Sequence, residues 1–473
     1  MITRRDFFRY SGASSASFLV AHAFGGCASD GATPLEPLPT DPMGRWWLSG
    51  NYAPVPDEIE AFDLEVVGAL PPELDGLFLR NGPNPYSAPT SHWFIGDGML
   101  HGVRLSGGEA LWYRNRYVDT VAHRNAMPEN LAAGRANTSV KAHAGRLYAL
   151  YETAVPVEID PADLSTLGEY DFEGALRRPM SAHPKIDPVT GEMMFIGYAP
   201  FPPYLTYHVV DARGAMRSSV EIELDHAPMM HDMQLTESYA LLLDFPIHFD
   251  FELLETQGFP FEWVDDAPAR IGVLPRDGSS AEVRWFEIDQ CFVFHTFNAY
   301  EQDGRVVVEG CRMPHLWREG IDDVSQQPYP WRWTLDLETG AVSEEQLRDF
   351  AADFPIVDPR RATRSNRMSY ALRLDDGGPD RVAAPTGIVR LDRDTGATDA
   401  WDAGHYQPDE ALFVPVGEGE DEGWLLTMAF DRTTHLSEVL VLDASALASG
   451  PVARVKMPRR VPHGFHGTWL PGV

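Results

Sequence analysis

Gly464-Phe-His-Gly467, near the end of this 473-residue chain, is one of four short segments that each hold a single histidine. The other three segments are Ser181-Ala-His-Pro184, His231-Asp-Met233 and Phe294-His-Thr-Phe-Asn-Ala-Tyr300. The four histidines are His183, His231, His295 and His466. Neutral imidazole is a good ligand for divalent transition metals. Because the histidines lie 48, 64 and 171 residues apart, only a closed fold that returns to one axis brings them together. Four imidazoles, with no thiolate or carboxylate among the ligands, would leave two octahedral positions for oxygen and substrate.

Short apolar or alternating runs recur along the chain and predict β-strands. Examples are Gly145-Arg-Leu-Tyr-Ala-Leu-Tyr151, Tyr239-Ala-Leu-Leu-Leu-Asp244 and Glu438-Val-Leu-Val-Leu442. One turn pattern, which starts with Asp and ends with Gly, recurs between the runs, at 187–191, 211–214, 336–340 and 392–396. Asp caps such a turn through its side chain, and Gly accepts the positive φ that closes it. Repeated hairpins without helical spacers favour an all-β closed array such as a propeller.

The four histidine segments, in this order, resemble those of the carotenoid cleavage oxygenase family, which includes apocarotenoid, lignostilbene and retinoid enzymes. Further motifs carry the resemblance through most of the chain. They are Gly68-Ala-Leu-Pro-Pro-Glu-Leu-Asp-Gly76, Arg80-Asn-Gly-Pro-Asn-Pro85, Gly96-Asp-Gly-Met-Leu-His-Gly102, Ala136-Asn-Thr138 and Trp285-Phe-Glu287.

The resemblance implies a seven-bladed β-propeller with a cap of loops and short helices over one face. Residues 31–473 would form it as a single domain. Seven blades in roughly 430 residues give about 60 residues per blade with the cap insertions, against roughly 40–45 for a bare blade. The separations of the histidines are near one, one and three such blades. We therefore expect the histidines on inner strands that face the propeller axis. The resemblance also implies that they bind one ferrous ion, Fe(2+).

Three carboxylates are implied as hydrogen-bond acceptors that orient the histidine rings. Matched to the family motifs, they are Glu152 for His231, Asp353 for His295 and Glu410 for His466. The family has Glu where this chain has Asp353, and Asp is about 1.5 Å shorter in reach. Either the backbone moves closer to His295 or a water bridges the gap. Thr138 falls where the family places a residue beside an open iron position.

The implied reaction is oxygen-dependent cleavage of a conjugated C=C bond into two carbonyl products. Stilbene-cleaving relatives carry a lysine before the first orienting Glu, and this chain has Tyr151 there. We therefore expect a carotenoid or apocarotenoid as the substrate, with a stilbene as the alternative. Tyr117 could still meet the phenol of a stilbene. The aromatic stretch 245–263 could line a tunnel mouth, contact a membrane or pack in the core. A non-catalytic carotenoid-binding lipoprotein and a propeller hydrolase are the other classes considered. A calcium-dependent hydrolase would prefer oxygen ligands.

Composition limits the partners of the chain. The net charge is −32, so binding to nucleic acid phosphates is disfavoured. No segment after the N-terminus has the about 18 uninterrupted apolar residues of a spanning helix, so membrane contact would be peripheral. We expect a monomer. Cys291 and Cys311 are too few for a disulfide framework and are interpreted as buried small residues.

The first 30 residues are interpreted as a targeting segment. Thr3-Arg-Arg-Asp-Phe-Phe-Arg9 is typical of a twin-arginine export signal, which carries folded proteins. Phe24-Gly-Gly-Cys27 resembles a lipoprotein cleavage site, with Cys27 as the lipidated residue. These features predict a periplasmic or lipid-anchored enzyme, exported after it has bound its metal.

Overall fold

Seven antiparallel sheets surround a common axis in the computed structural model, as the all-β propeller prediction required. The structure describes residues 35–86, 89–121, 123, 134–321, 323, 326–375 and 383–473. The predicted export signal, with Arg4, Arg5 and Cys27, lies outside these residues, as does the proposed domain boundary near residue 30.

Blades 1–3 contain thirteen of the strands. The strands of blade 1 are β1 (Glu60–Leu64), β3 (Gly76–Pro83), β4 (Gly98–Ser106), β5 (Glu109–Tyr117) and β32 (Gly467–Pro471). Those of blade 2 are β6 (Ser139–His143), β7 (Arg146–Leu150), β8 (Val157–Ile159) and β9 (Thr166–Glu169). Those of blade 3 are β10 (Lys185–Ile186), β11 (Met193–Tyr198), β12 (Leu205–Val210) and β13 (Met216–Ile222).

Blades 4–7 continue around the axis. The strands of blade 4 are β14 (Met233–Leu235), β15 (Tyr239–Asp244), β18 (Ala269–Pro275) and β19 (Arg284–Ile288). Those of blade 5 are β20 (Phe292–Gln302), β21 (Arg305–Met313), β22 (Tyr329–Asp336) and β23 (Val342–Gln346). Those of blade 6 are β24 (Ala352–Ile356), β25 (Met368–Leu374), β26 (Pro385–Asp392) and β27 (Thr398–Asp402). Those of blade 7 are β28 (Tyr406–Pro415), β29 (Gly423–Asp431), β30 (Leu436–Asp443), β31 (Pro451–Lys456) and β2 (Val66–Gly68).

Two blades combine strands from opposite ends of the chain, and this closes the ring. In blade 1 the last strand, β32, pairs with β3, so that Leu79 lies opposite Thr468. In blade 7 the early strand β2 pairs with β31, so that Val66 lies opposite Val455. The contact between the ends is close, since a Cβ on Gly464 would come within 2.7 Å of the Asn81 carbonyl oxygen. Closure satisfies the edge strands that an open ring would expose.

The predicted Asp-to-Gly turns connect strands within blades. The side chain of Asp336 accepts hydrogen bonds from the backbone N–H groups of Glu338 and Thr339, at 3.0 and 2.8 Å. Gly340 closes this turn at φ +77°. The other three turns repeat the Asp cap, and each ends at a glycine with positive φ.

One face of the ring carries an aromatic cap that includes a small helical hairpin. The hairpin consists of β16 (Ile247–Phe249), α1 (Phe251–Gln257) and β17 (Phe261–Trp263). Asp250 caps α1 by accepting from the N–H groups of Glu252 and Leu253. Short 3-10 helices occur at Trp46–Leu48, Gly50–Tyr52, Trp93–Ile95, Ser280–Glu282, Pro359–Arg361 and Leu447–Ser449. Among the described residues, no helix has the length and apolar character needed to cross a membrane.

The core lies between neighbouring blades. Leu77, Leu79 and Leu100 from blade 1 pack with Val140 and Leu147 from blade 2. The two cysteines predicted to be buried and unpaired, Cys291 and Cys311, are both buried free thiols.

Truncation of Leu79 tests the packing beside the closing strand. Its side chain is 0% exposed. We expect Leu79→Ala to lower the free energy of unfolding by about 2–5 kcal/mol, because a large buried side chain leaves a cavity. Leu167→Ala is the matched control, since Leu167 is 59% exposed, and should change it by less than about 0.5 kcal/mol. Denaturant unfolding of both variants measures the difference. Equal stabilities would contradict this packing.

Candidate metal centre

The four predicted histidines lie on, or just before, the inner strands of four blades. His183 precedes β10, His231 precedes β14 and His466 directly precedes β32. His295 lies within β20, at an irregularity in its pairing with β21. The histidines therefore belong to blades 3, 4, 5 and 1, which are one, one and three steps apart around the ring.

The potential ligand atoms of the four histidines converge. One nitrogen from each ring lies within 4.8 Å of the others. Nε2 of His295 is 3.1 Å from Nε2 of His466 and 3.4 Å from Nε2 of His231. Nitrogens bound at about 2.1 Å to one ion would be about 3.0 Å apart when adjacent and about 4.2 Å when opposite. The cluster therefore has the dimensions of a metal site.

In each of two rings, the nitrogen that points away from the cluster, Nδ1, is hydrogen-bonded to a carboxylate. Nδ1 of His295 donates to Asp353 Oδ1 at 2.9 Å, and Nδ1 of His466 donates to Glu410 Oε1 at 2.8 Å. A carboxylate accepts hydrogen bonds, so the proton sits on Nδ1 and the Nε2 lone pair points inward. Two such lone pairs at this distance repel unless a metal ion or a proton lies between them. Nε2 of His183 is also buried without a hydrogen-bond partner. The residues present thus fit a divalent metal.

His231 differs slightly from this pattern. Its Nδ1 lies 2.8 Å from Glu152 Oε1. The two atoms are not aligned for a hydrogen bond. Glu152 is itself fixed by Tyr198, whose hydroxyl donates to Oε2 at 2.8 Å. The three predicted pairings of acid and histidine are therefore all present as contacts.

Asp353 reaches His295 directly in spite of its short side chain. The pairing of β24 with β25 is interrupted between Asp353 and Ile356, and Phe354 adopts a positive φ of +52°. Such a bulge bends the strand and redirects a side chain. The 2.9 Å contact shows that, of the two alternatives, the backbone lies close enough and no bridging water is needed.

Glu410 is positioned in a similar way, at an irregularity of β28 between Pro408 and Ala411. Its Oε2 accepts from the Gly467 backbone N–H at 2.7 Å, beside the His466 contact. This glycine is the first residue of the closing strand β32. The orientation of His466 is therefore coupled to ring closure.

Burial and charge shift the titration of the cluster. Burial, with the neighbouring histidines, lowers the pKa of His183 well below its usual value. Burial also lowers the pKa of His466, although Glu410 opposes the change. Burial alone would lower the pKa of His295, but the Asp353 carboxylate raises it by more, so the net shift is upward. Burial raises the pKa of Glu410, but His466 outweighs it and the net shift is downward. Neutral His183 and His466 are suited to metal binding.

Sequence reasoning missed two side chains that support the acids. Tyr198 holds Glu152, as described above, and the Cys311 thiol interacts with Asp353. Burial and then the Asp353 charge and hydrogen bond raise the pKa of Cys311 well above its usual value. A tyrosine and a cysteine within ordinary apolar strands give no signal of such a role in the sequence.

A second polar group lies next to the ligands along the chain and was also missed. Lys185 Nζ is 2.8 Å from Asp232 Oδ1, and the Thr296 hydroxyl donates to Asp232 Oδ2 at 2.7 Å. Asp232 and Thr296 directly follow His231 and His295. Their hydrogen bonds tie blade 4 to blade 5 beside the histidines.

Three of the four histidines, His231, His295 and His466, border a large, mostly apolar cavity beneath the aromatic cap. Its volume is about 930 Å³. Aromatic side chains form much of its wall, among them Trp93, Phe94, Phe249, Phe259, Phe261 and Phe465. The predicted aromatic stretch 245–263 thus contributes to this wall, while Phe245 and Ile247 pack in the core.

Thr138 and Tyr151 line the cavity, and Tyr117 does not. The Thr138 carbonyl accepts from the His466 N–H at 3.1 Å, which places Thr138 beside the cluster. Burial raises the pKa of Tyr151. The expectation that Tyr117 could meet a phenol is wrong, because this buried tyrosine contacts Asn84 and the Val55 carbonyl instead.

A propeller ring that gathers four histidines under an apolar cavity defines the class of protein as a metal-dependent propeller enzyme. The family model described as retinal pigment epithelial membrane protein (RPE65) matches residues 52–471. The chain belongs to this family and is an oxygenase of the carotenoid-cleavage type.

Named relatives agree with that assignment. The carotenoid 9,10(9',10')-cleavage dioxygenase 1 of Pisum sativum is 35% identical and covers 90% of each chain. The carotenoid cleavage oxygenase of Mycobacterium tuberculosis is also 35% identical, over 90% of this chain and 97% of the relative. Among solved structures, the lignostilbene dioxygenase of Pseudomonas brassicacearum matches with a TM-score of 0.83 and 31% identity, over 92% of this chain and 100% of that one.

Removal of one ligand tests the cluster. We expect His295→Ala to lose most bound metal and all measurable activity, because the remaining nitrogens no longer enclose the ion. Elemental analysis of the purified protein measures the loss. His405→Ala is the control, since the His405 side chain is 50% exposed and outside the cluster. Full metal content in His295→Ala would contradict the site.

Neutralisation of Asp353 tests the role of the short acid. We expect Asp353→Asn to keep the fold but to lower metal affinity or activity by roughly ten- to a hundredfold, because His295 loses its acceptor. Metal titration and circular dichroism check both parts. Asp353→Glu is the companion variant, and a loss there would show that the backbone has adapted to the shorter side chain. Unchanged affinity in Asp353→Asn would mean that another group orients His295.

Proposed function

We propose that the chain is a non-haem Fe(2+) dioxygenase that cleaves a conjugated C=C bond of a carotenoid or apocarotenoid with O2. The products are two carbonyl fragments. The observation that carries the proposal is the convergence of four imidazole nitrogens beside a cavity of about 930 Å³ lined mainly by apolar side chains, with His231, His295 and His466 in its wall.

His183, His231, His295 and His466 would hold the ion, and Glu152, Asp353 and Glu410 keep three of the rings in place. Ferrous iron held only by neutral ligands supplies a site where dioxygen binds and becomes reactive toward an electron-rich alkene. Thr138, beside His466, limits what enters next to the ligands.

The cavity wall supports an extended apolar substrate. The rings of Phe294 and Phe354 contact His231 and His295, with centroids 5.0 and 4.9 Å apart, and Phe249 and Phe259 line the cavity from the cap hairpin. Aromatic rings provide apolar area with few rotatable bonds, so a long conjugated chain is bound without large ordering losses. The same wall keeps water away from the reacting bond.

A stilbene is the second candidate substrate, and the structural similarity to a lignostilbene dioxygenase favours it. Against it, Tyr151 stands where stilbene-cleaving relatives look to carry a lysine, and Tyr117 is absent from the wall. A calcium-dependent propeller hydrolase is disfavoured because oxygen ligands suit calcium and these are nitrogens. A non-catalytic carotenoid-binding role is disfavoured because the ligand set is complete.

A comparison of turnover decides between the two candidate substrates, an apocarotenoid and a stilbene. We expect an apocarotenoid to be cleaved with a kcat/KM at least about tenfold above that of 4-hydroxystilbene, because the wall is mainly apolar and Tyr151 stands in place of the lysine of stilbene-cleaving relatives. Oxygen uptake and product chromatography measure both. A larger kcat/KM for the stilbene would reverse the substrate assignment but keep the reaction.

The N-terminus supports export as a further part of the proposed function. Arg4 and Arg5 would direct the folded enzyme through the twin-arginine route, and Cys27 would then anchor it to a membrane by a lipid. A lipid anchor holds the enzyme where apolar polyenes partition. The mature chain would act as a monomer with at most peripheral membrane contact.

Cell fractionation tests the export route. Changing Arg4→Lys and Arg5→Lys together should leave the protein in the cytoplasm, because the signal is no longer recognised. Mass spectrometry of the wild-type N-terminus tests the anchor separately. A mature chain without a lipidated Cys27 would remove the anchor, and export of the double variant would remove the route.

A further inference from the structure

The cavity wall contains six charged side chains, and only two of them have no partner among the described residues. The six are Glu152, Arg177, Arg178, Asp353, Asp409 and Glu410. Each of the four acids contacts a histidine: His231, His295, His463 and His466, in the order Glu152, Asp353, Asp409 and Glu410. The two arginines are therefore the uncommitted charges of the wall.

Arg177 and Arg178 are unusual for this chain. The protein has 70 acidic and 38 basic residues, so an arginine near the surface readily finds a carboxylate. Within the described part of the chain, neither guanidinium group makes an ion pair, a side-chain hydrogen bond or a ring contact. Arg177 is exposed and Arg178 is half-buried, at a wall that is otherwise mainly apolar.

The backbone that carries the two arginines is fixed. Met180 N–H donates to the Ala154 carbonyl at 2.9 Å, and Ser181 N–H donates to the Ile196 carbonyl at 2.8 Å. Pro179 packs so closely on Gly197 that a Cβ there would lie 1.8 Å from the Pro179 carbonyl oxygen. Arg178 is five residues from His183, so their Cα atoms are at most about 18 Å apart. A group bound by the arginines is thus tied at a limited distance to the histidine cluster.

We propose that Arg177 and Arg178 bind the terminal carboxylate of an amphipathic substrate, an apocarotenoid acid, whose polyene extends along the apolar wall to the histidines. The inference rests on the proposed function and specifies its substrate class. A guanidinium group matches a carboxylate through two parallel N–H donors, and two adjacent groups can bind both oxygens. The strongly negative protein otherwise repels an anion, so a local pair of positive charges decides whether such a substrate enters.

An oxyanion at the end of an apolar chain is also present in phospholipids. The arginines could contact a lipid phosphate at a membrane rather than the substrate. We commit to the substrate carboxylate, because both side chains line the cavity that contains the histidines. Binding to phospholipid vesicles distinguishes a lipid phosphate from the substrate carboxylate.

The experiment compares one polyene with two end groups, an apocarotenoid acid and its methyl ester. Binding is measured without oxygen, by quenching of tryptophan fluorescence in the metal-loaded protein, so turnover is not required. We expect wild type to bind the acid about tenfold more tightly than the ester, which corresponds to the strength of exposed charge-assisted hydrogen bonds. The double variant with Arg177→Gln and Arg178→Gln should bind both equally, and high salt should reduce the wild-type preference.

Arg213→Gln is the matched control, because Arg213 is an exposed arginine outside the cavity. It should keep the wild-type preference for the acid. Each single variant, Arg177→Gln or Arg178→Gln, should retain part of it. Binding of the ester should be the same in all variants, which confirms that the cavity remains folded.

Two results would overturn the inference. The first is equal binding of acid and ester by wild type. The second is a preference for the acid that survives in the double variant. If that variant has also lost binding to phosphatidylglycerol vesicles, the arginines are assigned to lipid. The proposed function is judged separately, by oxygen uptake. An arginine-dependent preference without turnover would keep the inference and reject the activity, and turnover without preference would do the reverse.

Discussion

The pairing of the last strand, β32, with β3 is the constraint on which the rest of the structure depends. It closes the ring, and it also sets the position of His466, which directly precedes β32. Gly467, the first residue of that strand, donates to the acid that orients His466. A propeller that failed to close would therefore lose one ligand and the orientation of its ring together. Fold stability and metal binding are coupled at this one strand.

The orientation of the histidines and of their acids depends on irregular strands. His295, Asp353 and Glu410 each lie at an interruption of regular pairing on an inner strand. Regular strands would point alternate side chains along fixed directions, and bulges redirect individual ones. The three acids also have further partners, in Tyr198, Cys311 and the Gly467 N–H. Such support fixes the imidazoles before a metal arrives, and preorganised ligands bind more tightly than mobile ones.

Much of this arrangement follows from the sequence. The alternating runs and the Asp-to-Gly turns predict hairpins from local chemistry. The spacing of the histidines predicts their blades only once the family resemblance supplies the number of blades. The acids could be paired with their histidines only through the family motifs, since a chain with 70 acidic residues offers many alternatives.

The remaining features depend on three-dimensional packing. Asp353 was expected to need either a backbone shift or a water, and the bulge with Phe354 at φ +52° favours the first. Tyr198 and Cys311 look like ordinary strand residues until their neighbours are known. Tyr117, a residue that could meet a phenol as far as the sequence tells, is buried against the Val55 carbonyl. Arg177 and Arg178 stand out only in the structure, where the four acids of the cavity wall each contact a histidine and the two arginines have no partner among the described residues.

The central claim is that four imidazoles, and no other protein side chains, hold one iron on the propeller axis. X-ray absorption spectroscopy at the iron edge of the purified protein tests it most directly. The account predicts one iron per chain, with nitrogen and oxygen neighbours and the multiple-scattering pattern of about four imidazoles. A protein without iron after reconstitution, or a spectrum with sulfur bound to the metal, would contradict it.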